Sequence, residues 1–154
     1  MAEGFTLQIE IKGVAEFGRL LDRLSNAVRG QVVQDALLAG AYIVEGYAKV
    51  NAVTDTGFMK NSIYAKTSKK SNYGQRAAEA RAVNDTAELL PEMDAPDDKS
   101  AIVAVAAEYG AYVEYGTARM GAQPYMRPAV DQHIPEITQA VSENLSDGIA
   151  KALR

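Results

Sequence analysis

The chain has 154 residues, of which 47% are hydrophobic, and its 16 basic and 20 acidic side chains give a net charge of -4. This length and hydrophobic content predict one structural domain, 1–154, with a continuous core. The moderate acidity argues against a surface that coats nucleic acid, which is normally basic. The absence of cysteine excludes disulfides and thiolate chemistry, and a single histidine, His133, makes zinc, haem and Ser-His-Asp sites unexpected.

The N-terminal part of the chain predicts a strand followed by two helices. Its first residues lack the basic start and long apolar run of a signal peptide, and no stretch approaches a membrane span, so folding in the cytoplasm is expected. Residues 5–11 alternate apolar and polar side chains, which predicts a strand with one buried face. Residues 14–24 have helical spacing, and Gly30 predicts a break before a longer helix over about residues 31–50.

Two glycines lie inside that longer helix. Gly40 and Gly46 each cost a helix roughly 1 kcal/mol relative to alanine. We therefore expect both to mark places where another backbone approaches closely.

The second half of the chain predicts two strands around a charged insertion. Residues 62–67 alternate Ile63 and Ala65 with polar positions, and residues 101–107 form a nearly all-apolar run of strand length; we expect the two to be antiparallel neighbours. Between them, residues 68–100 place basic side chains before acidic ones. This stretch is expected to be a mobile, charged arm outside the core with a short helix near residues 75–82, either solvated or reaching a neighbouring subunit.

The C-terminal residues 128–153 repeat apolar side chains every three or four positions, which predicts an amphipathic helix. Pro128 suits a first helical position, whereas Pro135 removes an internal hydrogen bond and predicts a kink or restart near residues 132–135. The elements together predict an α+β fold. In it a small antiparallel sheet packs against a long helix, with a short N-terminal helix and a C-terminal amphipathic helix.

The triplet Asp55-Thr56-Gly57 has two interpretations. Asp-Thr-Gly is the core triplet of aspartic proteases, in which two aspartates share one site, so a dimeric hydrolase using Asp55 is one hypothesis. That triplet normally lies in an all-β barrel, whereas here a long helix precedes it and Phe58 follows. A turn between a helix and a strand, held by Asp55 and Thr56, is the favoured interpretation.

Three tyrosines, Tyr109, Tyr112 and Tyr115, recur at intervals of three residues. On a short helical turn this spacing places the rings along one side, which suits a partly wet protein interface. The alternative is that the rings cover the sheet of their own chain. Gly116 is expected to end the turn in a left-handed conformation. A monomeric module that binds a peptide or protein through the tyrosine face is a further hypothesis.

Residues 123–129, Gln-Pro-Tyr-Met-Arg-Pro-Ala, predict an extended approach to the final helix, stiffened by Pro124 and Pro128. Arg127 and Glu114 are candidates for a bidentate ion pair that would tie this approach to the tyrosine turn. The alternative is an ordinary surface arginine.

The chain resembles the neck or tail-component family of long-tailed bacteriophages in two spaced motifs. The first, at residues 53–62, is Val-Thr-Asp-Thr-Gly-Phe-Met-Lys-Asn-Ser, where the family usually has Pro-Val-Asp-Thr-Gly-Leu-Arg-Ser-Ser. The second is Tyr-Val-Glu-Tyr-Gly-Thr at residues 112–117 followed by the motif at residues 123–129, where the family has Tyr-Val-Glu-Phe-Gly-Thr and Gln-Pro-Phe-Leu-Arg-Pro-Ala. The resemblance covers nearly the whole chain except residues 68–100.

The resemblance implies a non-enzymatic virion protein of the head-to-tail junction, a neck or tail-completion protein made in the bacterial cytoplasm by a phage or prophage. It implies a ring of copies through which DNA passes, with a hexamer as one candidate, and contacts with head-completion, tail-terminator or tail-tube proteins. No cofactor, metal, membrane or specific nucleic acid is expected. The candidate assembly residues are Asp55, Thr56, Gly57, Tyr109, Tyr112, Glu114, Tyr115, Gly116, Thr117, Pro124, Arg127 and Pro128.

Overall fold

The computed structural model describes residues 6–9, 15–54 and 56–154, with side chains from residue 18 onward in those ranges. The elements in chain order are β1 (Thr6–Ile9), α1 (Ala15–Leu21), α2 (Asn26–Asn51), α3 (Phe58–Asn61), β2 (Ile63–Thr67), α4 (Tyr73–Val83), β3 (Ala101–Val105), α5 (Gly110–Tyr115), α6 (Met126–Asp131) and α7 (Ile134–Ala152). The predicted α+β class is confirmed, because a small antiparallel sheet packs against the long helix α2.

The sheet has the strand order β1-β3-β2, and both pairings are antiparallel. The prediction that residues 62–67 and 101–107 are neighbours is confirmed, with Ala65 opposite Val103. Strand β3 is buried on both faces, which explains why its sequence is an unbroken apolar run. Val103 belongs to the main core with α2, whereas Ala104 packs with Tyr64 on the opposite face.

Helix α2 begins earlier than the sequence predicts. The predicted break at Gly30 is wrong, since the helix starts at Asn26 and runs through this glycine to Asn51. The Ser25 side chain caps the start by accepting the backbone N–H of Val28 at 3.4 Å. Capping and packing together outweigh the roughly 1 kcal/mol that a glycine costs inside a helix.

The two glycines of α2 differ in their surroundings. A Cβ atom at Gly40 would lie 2.6 Å from Val141 Cγ2 and 3.7 Å from the Ile137 carbonyl oxygen, so helix α7 does approach closely, but with its side chains more than with the backbone that was predicted. The same prediction is wrong for Gly46, whose Cβ would meet nothing within 4 Å. The missing side chain at Gly40 therefore lets α7 of the same chain pack on α2.

The predicted restart before the last helix is confirmed. Helix α6 ends at Asp131 and α7 begins at Ile134, which places Pro135 in the first turn, where its missing N–H costs nothing. Pro128 is the third residue of α6, so its predicted place at the start of a helix is wrong, although it too lies in a first turn. The buried stripe of α7 consists of Ile137, Val141, Leu145 and Ile149.

Residues 68–100 fold against the sheet, so the expectation that they stay outside the core is wrong. Ala77 and Ala80 of α4 are buried, and Ala80 belongs to the main core. Beyond α4 the chain crosses the outer face of the sheet, where the Tyr64 hydroxyl accepts the Met93 N–H at 3.0 Å. Its charges pair with other parts of the chain, because Lys66 of β2 binds Glu92 and Asp94 at 3.5 and 3.3 Å, and Arg76 binds Glu45 of α2 at 2.6 Å. Small side chains and ion pairs to α2 and β2 thus allow this polar stretch to pack.

Candidate assembly surface

The first family-like motif and the segment around Val113 of the second motif line an apolar groove of about 380 Å³. We call it the tyrosine groove; its lining residues are Val53, Thr56, Gly57, Met59, Tyr109, Val113 and Met120. The first three belong to the turn between α2 and α3, Met59 belongs to α3, and the last three belong to α5 and its flanking loops. Segments far apart in the sequence therefore build the two walls of one surface feature.

The first wall is the turn that leads into α3. Gly57 has a φ angle of 87°, in the region that favours glycine, and the Thr56 hydroxyl accepts the Phe58 N–H at 3.3 Å. Phe58 is buried, and its ring centroid lies 6.3 Å from that of Tyr109, so it joins the two walls. Asp55 lies outside the described residues. The hydrolase hypothesis and the role of Asp55 in holding the turn therefore stay predictions.

The second wall is α5, which forms the predicted short helical turn. Tyr109, Tyr112 and Tyr115 are 43%, 50% and 62% exposed. The alternative that the rings cover their own sheet is thus wrong for Tyr112 and Tyr115. A row of half-exposed tyrosines gives a surface that is apolar in its rings and polar at its hydroxyl groups, as protein interfaces require.

A buried carboxylate fastens α5 to the start of α6. Glu114 is only 4% exposed, and its oxygens accept the backbone N–H groups of Tyr125 at 2.7 Å, Met126 at 3.0 Å and Arg127 at 3.0 Å. The predicted ion pair between Glu114 and the Arg127 side chain is therefore wrong, since Glu114 binds the Arg127 backbone. The first N–H groups of a helix have no partner within it, and one carboxylate can accept several of them.

Tyr125 adds a second link between the same segments. Its side chain is fully buried, and its hydroxyl donates to the Gly110 carbonyl at 3.0 Å. Burial is the main reason why the pKa of Tyr125 is raised well above its usual value. Gly110 leaves no room for a side chain, because a Cβ there would lie 2.9 Å from the Tyr125 hydroxyl oxygen. Sequence reasoning missed this pair, although Gly110 and Tyr125 both lie in the stretches it singled out.

Gly116 ends α5 with a φ angle of 77°, which confirms the predicted positive φ, whereas its ψ angle of 173° lies outside the left-handed helical region. A Cβ on this residue would lie 2.7 Å from the Ala122 nitrogen and 2.9 Å from the Met120 carbonyl oxygen. The close approach arises because residues 117–124 fold back over Gly116. Any other residue at position 116 would have to push this loop outward.

The loop over residues 117–124 is exposed along its length, including Thr117 and Pro124, yet backbone hydrogen bonds fix its shape. The Thr117 N–H donates to the Met120 carbonyl at 2.8 Å, and the Gln123 N–H donates to the Val113 carbonyl at 2.8 Å. The loop thereby holds Met120, which is 41% exposed, against the groove. Sequence reasoning missed Met120, because an apolar side chain in a loop has no periodic partner to identify it.

A second cavity, of about 280 Å³, lies away from the motifs between α2 and α4. The Glu45 carboxylate at its wall is 3% exposed and binds Arg76 Nε at 2.6 Å, Lys49 Nζ at 3.1 Å and Asn72 Nδ2 at 3.0 Å. These contacts satisfy the buried charge and fasten α4 to α2. We assign this network a structural role.

Within the described ranges, no helix is both long enough and apolar enough to cross a membrane, and no group of metal-ligating side chains is placed to hold an ion. His133 stacks on Tyr47, with ring centroids 3.4 Å apart.

No protein-family model, curated protein or solved structure matches this chain.

Proposed function

We propose that the protein is a structural subunit of the bacteriophage head-to-tail junction, which joins copies of itself and neighbouring junction proteins through the tyrosine groove. The observation that carries the proposal is that four residues of the first family-like motif meet Val113 of the second motif, with its neighbours Tyr109 and Met120, in this one groove. The motif residues divide into two sets. One set fixes the backbone: Glu114 and Tyr125 make buried hydrogen bonds, and Gly116 allows the loop to fold back. The other set, Tyr112 and Tyr115, has exposed rings.

The chemistry of the groove suits protein contact better than catalysis. Its described lining is apolar and aromatic, with the Thr56 and Tyr109 hydroxyls as its polar side-chain groups. Tyrosine and methionine are enriched at protein interfaces, where they supply contact area that tolerates some water. The hydrogen bonds of Glu114 and of the loop at residues 117–124 order these side chains in advance, which lowers the entropy cost of association.

A ring around DNA also agrees with the charge of the chain. A subunit that carries a net charge of -4 holds a phosphate backbone weakly, which suits a conduit through which DNA moves.

The groove also fits a second candidate function, a monomeric module that binds a peptide from another protein. A groove of about 380 Å³ with apolar walls could hold one or two side chains of such a peptide. The two functions differ in the association state of the isolated chain, because the peptide module has no need of copies of itself.

Deletion of the gene in the phage or prophage genome that encodes the protein tests the proposal. We expect DNA-filled heads and tails that fail to join, seen by negative-stain electron microscopy, and rescue by the unaltered gene. The double variant Tyr112→Asp/Tyr115→Asp should fail to rescue, whereas Tyr42→Asp, at an exposed tyrosine beside the Glu45 cavity, should succeed. Normal virions from the deletion strain would refute the proposed function.

A further inference from the structure

We infer that residues 91–97 form a strap that lifts from the outer face of the sheet while the rest of the fold stays intact, and that ionic contacts with Lys66 keep it closed. We call these seven residues the strap. Its motion is independent of the proposed assembly function. Lifting would uncover the hydroxyl group of Tyr64, whose side chain is buried when the strap is closed.

The chain is held firmly at both ends of the strap. Before it, the Leu90 N–H donates to the Ala106 carbonyl at 2.7 Å, and the Leu90 carbonyl accepts the Tyr73 hydroxyl at 2.6 Å. After it, the Asp98 carbonyl accepts the buried side-chain amide of Gln34 at 2.6 Å. Any motion of the strap is therefore confined between two fixed points.

The strap itself is held much less firmly. None of its residues belongs to a helix or strand, and six of the seven are exposed, with Ala95 half-buried. Pro91 and Pro96 have no N–H group to donate, and the Met93 N–H donates to the Tyr64 hydroxyl at 3.0 Å. A segment with few buried apolar contacts and an exposed backbone opens at a lower free energy than the core does.

One lysine of β2 holds the middle of the strap. Lys66 Nζ lies 3.5 Å from Glu92 Oε1 and 3.3 Å from Asp94 Oδ1. The Ser71 hydroxyl also donates to Glu92. The Lys66 side chain is only 12% exposed, whereas that of Asp94 is 99% exposed. Ion pairs with such exposed partners are weak and are screened by salt, so the closed strap should be sensitive to ionic strength.

The strap lies over an aromatic pair on the outer face of the sheet. The Tyr64 ring meets the Tyr73 ring edge-on, with centroids 4.9 Å apart, and Tyr64 packs with Ala104 and Ala106. Lifting the strap breaks the hydrogen bond from Met93 and opens the Tyr64 hydroxyl to solvent. The strap thus acts as a salt-sensitive cover over this tyrosine.

Amide hydrogen exchange, resolved by NMR, tests the inference at three positions: Met93 in the strap, Leu90 at its fixed end and Val103 in the central strand. Replacing Lys66 with glutamine should speed exchange of the Met93 amide about tenfold and leave the other two rates within about twofold. Because Lys66 lies outside the strap, the sequence beside the Met93 amide is unchanged.

The matched control is Lys70→Gln, which removes an ion pair with Asp35 of α2 instead of a contact with the strap. It should leave the Met93 rate unchanged. About 0.5 M sodium chloride should speed Met93 exchange in the unaltered protein but not further in the Lys66→Gln variant, because the contact that salt weakens is already gone.

The comparison of the three rates decides the inference. A Met93 rate that rises more than the Leu90 and Val103 rates, both in the Lys66→Gln variant and in salt, supports the strap. Three rates that rise together would mean that the whole fold loosens, which overturns the inference. A Met93 rate that does not respond to Lys66→Gln or to salt, or that Lys70→Gln raises equally, overturns it as well.

Discussion

The Glu114 carboxylate accepts the Tyr125 backbone N–H at 2.7 Å, across ten intervening residues that include the exposed loop of the tyrosine groove. This contact closes the loop at its base, and Gly116 allows the chain to fold over it. The groove wall is thereby set by buried hydrogen bonds. The three tyrosine rings of this segment are between 43% and 62% exposed.

Replacing Glu114 with glutamine should lower the free energy of unfolding by about 2–3 kcal/mol, because the amide has one acceptor oxygen for three N–H groups. Urea denaturation monitored by circular dichroism measures the change. The control Glu108→Gln, at an exposed position just before α5, should stay within about 0.5 kcal/mol. Equal stability of the two variants would show that the buried carboxylate does not hold the segments together.

Replacing Gly116 with alanine should lower stability by about 1–3 kcal/mol, because its φ angle of 77° disfavours a side chain and the new Cβ would meet the Ala122 nitrogen. The matched control is Gly121→Ala, in the same loop, where a Cβ would meet nothing within 4 Å. Gly116→Val should also harm folding or assembly more than Lys69→Ala does. Thermal unfolding compares the four variants, and equal melting temperatures for both alanine variants would contradict the role of Gly116.

Two glycines of α2 should respond to alanine with opposite signs. Gly40→Ala should destabilise the protein, because the added Cβ would lie 2.6 Å from Val141 Cγ2 where α7 packs. Gly46→Ala should stabilise it by about 0.5–1 kcal/mol, because the site is open and alanine favours helix. Guanidinium titrations of both variants test the pair, and a stabilising Gly40→Ala would mean that α7 does not pack as described.

Stability should fall at alkaline pH partly through Tyr64. Burial is the main cause that raises its pKa from 10.0 to about 12, so the folded state favours the neutral phenol. Its contribution is complete below the unfolded pKa and is lost as the pH rises from about 10 towards 12. Tyr64→Phe cannot ionise, so its stability should decline less steeply over that range, although it loses the Met93 hydrogen bond, worth about 1 kcal/mol. Denaturation at several alkaline pH values gives the two slopes, and identical slopes would refute the assignment.

Local rules were enough to predict several elements from the sequence. The apolar run of β3, the restart at Pro135 and the glycine at position 116 follow from periodicity and backbone geometry, and all are confirmed. The burial of α4 could not be predicted in this way. Its sequence is polar on average, and its attachment depends on Glu45, which lies far away in the chain and binds Arg76.

The candidate site was likewise predictable from the sequence only in part. The motifs identified Glu114 and Arg127 correctly as neighbours, but spacing could not tell a side-chain ion pair from a contact between a carboxylate and the backbone. Met120 and the depth of the groove depend on how residues 117–124 fold back, which no local pattern encodes. The association state likewise depends on surfaces that a sequence pattern does not describe.

Multi-angle light scattering of the purified protein over a wide concentration range tests the central claim most directly. We expect the unaltered chain to associate as concentration rises, and the folded double variant Tyr112→Asp/Tyr115→Asp to remain monomeric, since both rings are exposed on α5, the helix that contributes Val113 to the groove. Equal mass for both proteins at every concentration would contradict association through the tyrosine groove.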